Sequence, residues 1–366
     1  MELALPLDAV GEPPTFRSRF GGLWTDRSDA HQILENRSAR GALTDSESAA
    51  IAHYIDYGYV IYPRASDEAL IDEYVDFFER SFDECPPMIA AHCEGKVRPI
   101  SRDLYDRVAK VNGLHSYFTR AGELIYPPPV LRFLMEIYDR PPVAFQTMSM
   151  RKGSEEPLHI DTGPLTLTEP MTMVASWLAL EDVKPMSGEF EFVPGSHRLP
   201  ELLHHGVSKG HNGEMGVYGQ VLARTQHMCD ERGLKTERFM AKKGDVLIWH
   251  ADLMHGGAKI EDPERTRKSL VVHFMPLGVM PTFYDFSCVS ALPYTNGGYC
   301  LDNLLTGKPK SQTVSNKAAA SPFGVRFQLS QMKRRIPLPA RAFVRTQVDR
   351  FTNPQTASRT RSSARK

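Results

Sequence analysis

The apolar positions of this chain keep two rhythms, and the change falls near residue 142. Before it the spacing is helical. In "LTDSESAAIAHYIDYGYVIY" (43–62), Ile51, Tyr54 and Ile55 share one face. Thr44, with Glu47 three residues on, forms a capping-box signature, and Gly58 marks a stop. The "YVIY" that follows is β-rich and predicts a strand. Leu70, Tyr74, Phe77 and Phe78 recur at helical spacing and predict a helix over 67–82. A third helix is expected after the prolines at 127–129, through "VLRFLMEIY".

Beyond residue 142 come short runs of β-branched, aromatic and Met residues separated by Gly, Pro or Asp turns. They are "VAFQTMSM" (143–150), "MVASWLAL" (173–180), "EFEFVP" (189–194), "DVLIWH" (245–250) and "SLVVHF" (269–274). Many short strands with turn signals predict a sandwich or barrel. Residues 1–43 lack periodicity and are expected to form an irregular N-terminal extension, although "RSRFGGLWTDR" within them is aromatic and basic enough to dock on a core. The Gly- and His-containing stretch 200–240 is expected to be an insertion within one domain spanning 44–290.

Composition narrows the classes. With 41% hydrophobic and 24% charged residues the chain can bury a large core. Lys+Arg and Asp+Glu both number 44, so no global field favours nucleic acid or a membrane face. The imbalance is local. Residues 326–366 hold eleven Lys/Arg against one acid, Asp349. The segment 291–366 is therefore expected to be a basic, partly disordered C-terminal tail, or a contact surface for an anionic partner. Five scattered cysteines with no Cys-x-x-Cys pair favour reduced thiols in a cytoplasmic protein. No secretory signal and no transmembrane segment are expected.

The candidate chemistry lies in "EEPLHIDTGP" (155–164), which places His159 two residues before Asp161. Residues i and i+2 of a strand point to the same side, so such a pair can aim two ligands inward. Two imidazoles and one carboxylate on one face of a metal ion make a facial triad whose opposite face stays open for substrate and O2. A second pair, His250-x-Asp252, competes for the assignment. Only the first has a distant partner, His255 in "WHADLMHGGAKI", so His159, Asp161 and His255 are assigned as metal ligands and as the catalytic centre. His250 is then a packing or supporting residue. In "PERTRKSLVVHF", Arg267 begins a strand twelve residues after His255, and its planar fork suits a dicarboxylate held end-on. The competing role for Arg267 is a surface ion pair with Glu261, Asp262 or Glu264.

In their order, "LHID", "SGEFEFVPGSH", "KKGDVLIWHADLMHGG" and "TRKSLVVHF" resemble the phytanoyl-CoA dioxygenase family over roughly residues 45–280. The resemblance implies a mainly β protein with flanking helices around a double-stranded β-helix (jelly-roll, cupin-like) core. It implies Fe(II) on His159, Asp161 and His255, and 2-oxoglutarate as cosubstrate with its distal carboxylate on Arg267. Met148, Trp177 and Lys110 resemble further cosubstrate-binding residues, although Met148 and Trp177 also read as core. Where some members carry Gln and Ser, this chain has Ile160 and Gly257. The implied reaction is oxidation of a C–H bond of a small-molecule substrate, with O2 consumed and succinate and CO2 released. The carboxylate of Asp161 favours hydroxylation over halogenation, since related halogenases carry Ala or Gly there. No specific nucleic acid is expected as a partner. A cupin-like metal isomerase or hydrolase, and a non-catalytic ligand-binding protein, are the alternatives. "VPGSH" (193–197) reads as a tight turn, and His204, His205 and His211 as exposed loop residues.

Overall fold

Thr44 caps its helix as its spacing predicts. Its hydroxyl accepts from the Glu47 amide at 3.3 Å, and the Glu47 carboxylate accepts from the Thr44 amide at 2.8 Å. In this computed structural model, which describes residues 15–86, 89–211, 214–282, 291–294 and 296–301, the helix runs Asp45–Tyr57. Gly58 ends it at φ 79°, in the left-handed region, and a Cβ there would lie 2.5 Å from His197 Nδ1.

In chain order the helices are α1 (Ala30–Ala39), α2 (Asp45–Tyr57), α3 (Glu68–Glu84), α4 (Ala121–Ile125), α5 (Pro128–Tyr138) and α6 (Met215–Glu231). The strands are β1 (Tyr59–Tyr62), β2 (Ala90–Cys93), β3 (Lys96–Pro99), β4 (Ala109–Asn112), β5 (Pro142–Met150), β6 (Val174–Ala179) and β7 (Phe190–Phe192). They continue with β8 (Glu237–Phe239), β9 (Val246–His250), β10 (His255–Gly257), β11 (Ser269–Pro276), β12 (Ala291–Pro293) and β13 (Tyr299–Leu301). The strands pair mostly antiparallel into a large sheet in the order β1-β9-β6-β11-β5-β4-β2-β3 and a small sheet β10-β7-β8. Two facing sheets with helices outside make the double-stranded β-helix arrangement.

Strand alternation divides the large sheet into two faces. Cross-strand register puts Val271 opposite both Trp177 and Met148, and Leu247 opposite Trp177. These side chains meet Phe190 and Phe192 of the small sheet between the layers. The alternate residues, among them Val174, Leu178, Ile248, Leu270 and Phe274, pack outward with helical residues such as Tyr54, Tyr74 and Phe133. Trp177 and Trp249 are fully buried in the inner layer, where each ring removes roughly 150–250 Å² from water.

Three regions differ from expectation. The N-terminal extension is not irregular throughout, because Ala30–Ala39 form α1. The segment before α1 is docked. Trp24 Nε1 donates to the Glu136 carbonyl at 3.0 Å, and the Arg37 guanidinium lies 4.5 Å from the Trp24 ring centroid. The stretch 200–240 contains the seventeen-residue helix α6. Residues 291–301, expected as the start of the tail, hold β12 and β13, and β13 pairs in parallel with β5. The rest of the basic tail, and Cys288, lie outside the described residues. No helix among the described residues is long and apolar enough to cross a membrane.

Candidate functional site

His159 and His255 sit opposite each other in an antiparallel bridge. Each amide donates to the other's carbonyl, at 2.8 and 3.0 Å. The bridge is isolated: Asp161 lies in the turn that follows, where its amide donates to the Ala251 carbonyl at 2.9 Å. That turn brings the side chain of Asp161 to those of His159 and His255. Nδ1 of His159 lies 2.9 Å from the Pro157 carbonyl, and Nδ1 of His255 lies 2.8 Å from the Leu253 carbonyl. A carbonyl only accepts, so each Nδ1 carries the proton and each Nε2 presents a lone pair inward.

Those Nε2 atoms lie 3.9 and 3.7 Å from the Asp161 carboxylate oxygens, and the three ligand atoms fall within 4.8 Å of one another. Two imidazoles and a carboxylate converging this closely suit a divalent first-row metal. Burial is the largest influence on Asp161 and would raise its carboxyl pKa. His255, His273 and His159 together outweigh burial and hold it below the usual range. Trp249 Nε1 steadies the same carboxylate at 2.9 Å. Burial pushes His255 down to about 4, which keeps the imidazole neutral and ligand-ready. Sequence reasoning missed His273, whose Nε2 is 3.7 Å from Asp161. Its inward parity with Val271 on β11 was the available signal.

Arg267 is 1% exposed. The surface ion pair weighed for it does not form, because Asp262 is taken by Arg265 at 2.7 Å. Instead its Nε and Nη1 have no hydrogen-bond partner among the described residues. Burial is the main influence and pushes the group down to about 10. Its Cζ lies 5.4 Å from the Trp177 ring centroid. The nearby Glu189 and Glu181 carboxylates offset burial only in part, and buried N–H groups without acceptors are costly in a folded protein unless an anion completes them. Ser269 Oγ, Trp177 Nε1, Gln146 Oε1 and Asn112 Oδ1 are likewise without partners, and in register they belong to the same inward face.

Trp177 is buried beside Phe190 and Phe239. Met148 is partly buried opposite Val271 and Asn112. Lys110 stands opposite Met150, and its ammonium donates to Glu156. Gly257 answers a steric demand, since a Cβ there would lie 2.4 Å from Ser154 Oγ. Ile160 packs with Val193, Tyr218 and Met254.

The competing histidines lie elsewhere. His250 Nε2 lies 3.1 Å from Asp26, and His197 is buried at a 5.2 Å ring spacing from His250. The expectation for the 204–211 histidines needs correction. His205 is exposed and paired with Glu214 at 2.7 Å, but His204 is buried and stacked on Tyr218 of α6. Tyr218 in turn donates to the Ile160 carbonyl at 2.8 Å, so the insertion braces the turn that carries Asp161.

Solved structures of similar fold are known. The solved epimerase SnoN from nogalamycin biosynthesis, in complex with Fe3+, alpha ketoglutarate and nogalamycin RO, is similar with a TM-score of 0.52 at 19% identity. The match covers 70% of this chain and 98% of that one. The carbocyclase SnoK from the same biosynthesis matches at 0.46 and 20% identity, over 67% and 87%. EctD from S. alaskensis with 2-oxoglutarate and 5-hydroxyectoine matches at 0.44 and 14%, over 64% and 77%. At such identities the likeness concerns the fold. No curated protein matches significantly. Residues 54–267 match the family described as Phytanoyl-CoA dioxygenase (PhyH). The chain belongs to the phytanoyl-CoA dioxygenase family.

Proposed function

We propose that this protein is an Fe(II)- and 2-oxoglutarate-dependent dioxygenase that hydroxylates a C–H bond of a small organic molecule. One observation carries the reading. Three donors converge as a metal would need, and the same fold buries a guanidinium whose Nε and Nη1 have no hydrogen-bond partner among the described residues. His159, Asp161 and His255 would hold the iron, and the Arg267 guanidinium would pair with the distal carboxylate of 2-oxoglutarate. Once bound there, the metal would supply the oxidising power of O2, one oxygen atom going to the succinate formed with CO2 from 2-oxoglutarate and the other to the substrate.

The chain's own residues do the rest. The Pro157 and Leu253 carbonyls fix the imidazole tautomers. Trp249 orients Asp161, whose carboxylate keeps a ligand in the position that halogenation would need vacant. Met148 and Trp177 wall the cosubstrate from water. Cys85, Cys93 and Cys229 form no disulfide among the described residues, which supports the cytoplasmic setting proposed for the protein.

The test is anaerobic reconstitution with Fe(II), with and without 2-oxoglutarate, followed by a metabolite-extract screen in air. The expected result is a weak visible charge-transfer band that needs both components, then succinate coupled to a mass gain of one oxygen. Metal binding that ignores 2-oxoglutarate would favour a cupin-like isomerase or hydrolase instead.

A further inference from the structure

Lys110 stands where a free ammonium could meet an anion, but it is already engaged. Its neighbour across the strand is Met150, which lies opposite Ser269, two residues from Arg267. The Lys110 ammonium donates to the carboxylate of Glu156, in the loop three residues before His159. That loop is fixed on its other side. The Glu156 carbonyl accepts from the Gly257 amide at 2.9 Å, and a Cβ on Gly256 would lie 2.5 Å from the same carbonyl. The Glu156 carboxylate acts electrostatically on His159, Lys110 and His255. The ion pair therefore crosses from β4 to the loop that carries His159, next in register to Met150 and Ser269 on the way to Arg267.

Resting on the reading above, we propose that Lys110 is a positioning residue that acts on the cosubstrate indirectly, by neutralising the carboxylate of Glu156. Together they form a strap that closes the chamber beside the imidazoles and presents no net charge to a dianion. Glu156 alone would set a second carboxylate near one already carried by Asp161, and a dicarboxylate would be repelled. Only the neutralised pair closes this side without opposing its ligand. Both side chains keep some exposure, 24% for Lys110 and 39% for Glu156, so the strap can open for exchange.

A double-mutant cycle on 2-oxoglutarate affinity tests this, by calorimetry on the anaerobic Fe(II)-loaded protein, with thermal melts as a control for folding. Lys110→Met should weaken 2-oxoglutarate on the order of tenfold, since it leaves Glu156 charged and bare. Glu156→Gln alone should not weaken it. Glu156→Gln combined with Lys110→Met should return affinity to within about threefold of the wild type. KM for 2-oxoglutarate should follow the same pattern while kcat moves little. A double variant as weak as Lys110→Met would mean that Lys110 touches the cosubstrate directly, and would overturn the proposal. So would a Lys110→Met variant of unchanged affinity. If Lys110→Met fails to fold, Lys110→Arg should retain affinity, and Lys110→Gln takes its place in the cycle. A wild-type protein that binds Fe(II) but no 2-oxoglutarate would instead sink the proposed function, which separates the two failures.

Discussion

Two His-x-Asp pairs occur in this chain, and the fold treats them in opposite ways. At 159 and 161 the outer imidazole nitrogen is spent on a carbonyl, and the inner one points with Asp161 toward His255. At 250 and 252 every ring nitrogen and carboxylate oxygen is engaged. His250 Nδ1 accepts from the Asp252 amide at 3.0 Å, and Nε2 donates to Asp26 at 3.1 Å. Asp252 takes the buried Lys209 ammonium at 2.6 Å and the Thr162 hydroxyl. The motif is the same. One copy is left chemically unfinished and the other is saturated, and only unfinished donors can take a ligand. Arg267 belongs with the first kind, since it is buried and open.

The largest effect should come from removing the unfinished carboxylate. Asp161→Ala is expected to lose nearly all 2-oxoglutarate turnover, on the order of a hundredfold or more in succinate formed. Asp252→Ala should keep most of its metal affinity. Near-normal succinate from Asp161→Ala, or a metal site lost in Asp252→Ala, would reverse the comparison. Arg267→Leu comes next. Losing one partner of a buried charged pair costs about 2–5 kcal/mol, so KM for 2-oxoglutarate should rise roughly thirtyfold or more. The same change removes a buried charge that Glu189 and Glu181 offset only in part, so the ligand-free protein should melt within a few degrees of the wild type. A lower melting temperature with unchanged KM would make Arg267 a structural residue.

The saturated pair should show the opposite signature. Asp252→Ala leaves the Lys209 ammonium, 6% exposed, beside Glu201 at 3.7 Å as its remaining partner. Stability should fall by about 2–3 kcal/mol in urea titrations. Replacing Lys209 by Met in the same chain should recover part of that loss, because no buried charge is then left alone.

How much of this was legible follows from where each signal is stored. The Thr44 cap, the Gly58 stop and the alternating strands are local rules, and they appear in the chain as spacing. His159 and Asp161 were legible as a spacing, although they sit on an isolated bridge and the turn after it rather than on one strand, and His255 because two ligands close in the chain need a third from elsewhere. α1 was not legible, since only Ala30 and Leu34 of its ten residues are buried and the apolar stripe is too thin. α6 buries Thr225 and Cys229 beside Tyr218, Val221 and Met228, and Gly216 and Gly219 interrupt its first turns. That blurs the helical period. Glu156 and His273 take their meaning from neighbours far along the chain, which no single stretch displays.

The smallest expected effect concerns pH and separates the structural histidines from the site. His197 is buried, and burial is the main cause that drives its pKa well below the ordinary value, followed by the nearby His250. Its Nε2 lies 3.2 Å from the Ile55 carbonyl, so that nitrogen carries the proton, and Nδ1 has no acceptor within reach. In the unfolded chain the same imidazole takes a proton near pH 6.5. Below that point the unfolded state binds more protons than the folded one, so stability falls as pH drops. Above it the term is fully present and flat. Urea titrations between pH 8 and pH 5 should therefore show stability declining on the acid side, and His197→Asn should make the decline shallower. Adding metal should raise the curve most at the alkaline end, since its ligands must be deprotonated, and should leave the difference between wild type and His197→Asn in place, because His197 lies outside the converging donors. An acid slope unchanged in His197→Asn would show that proton uptake on unfolding belongs to other histidines, and the boundary drawn here between saturated and unfinished sites would have to move.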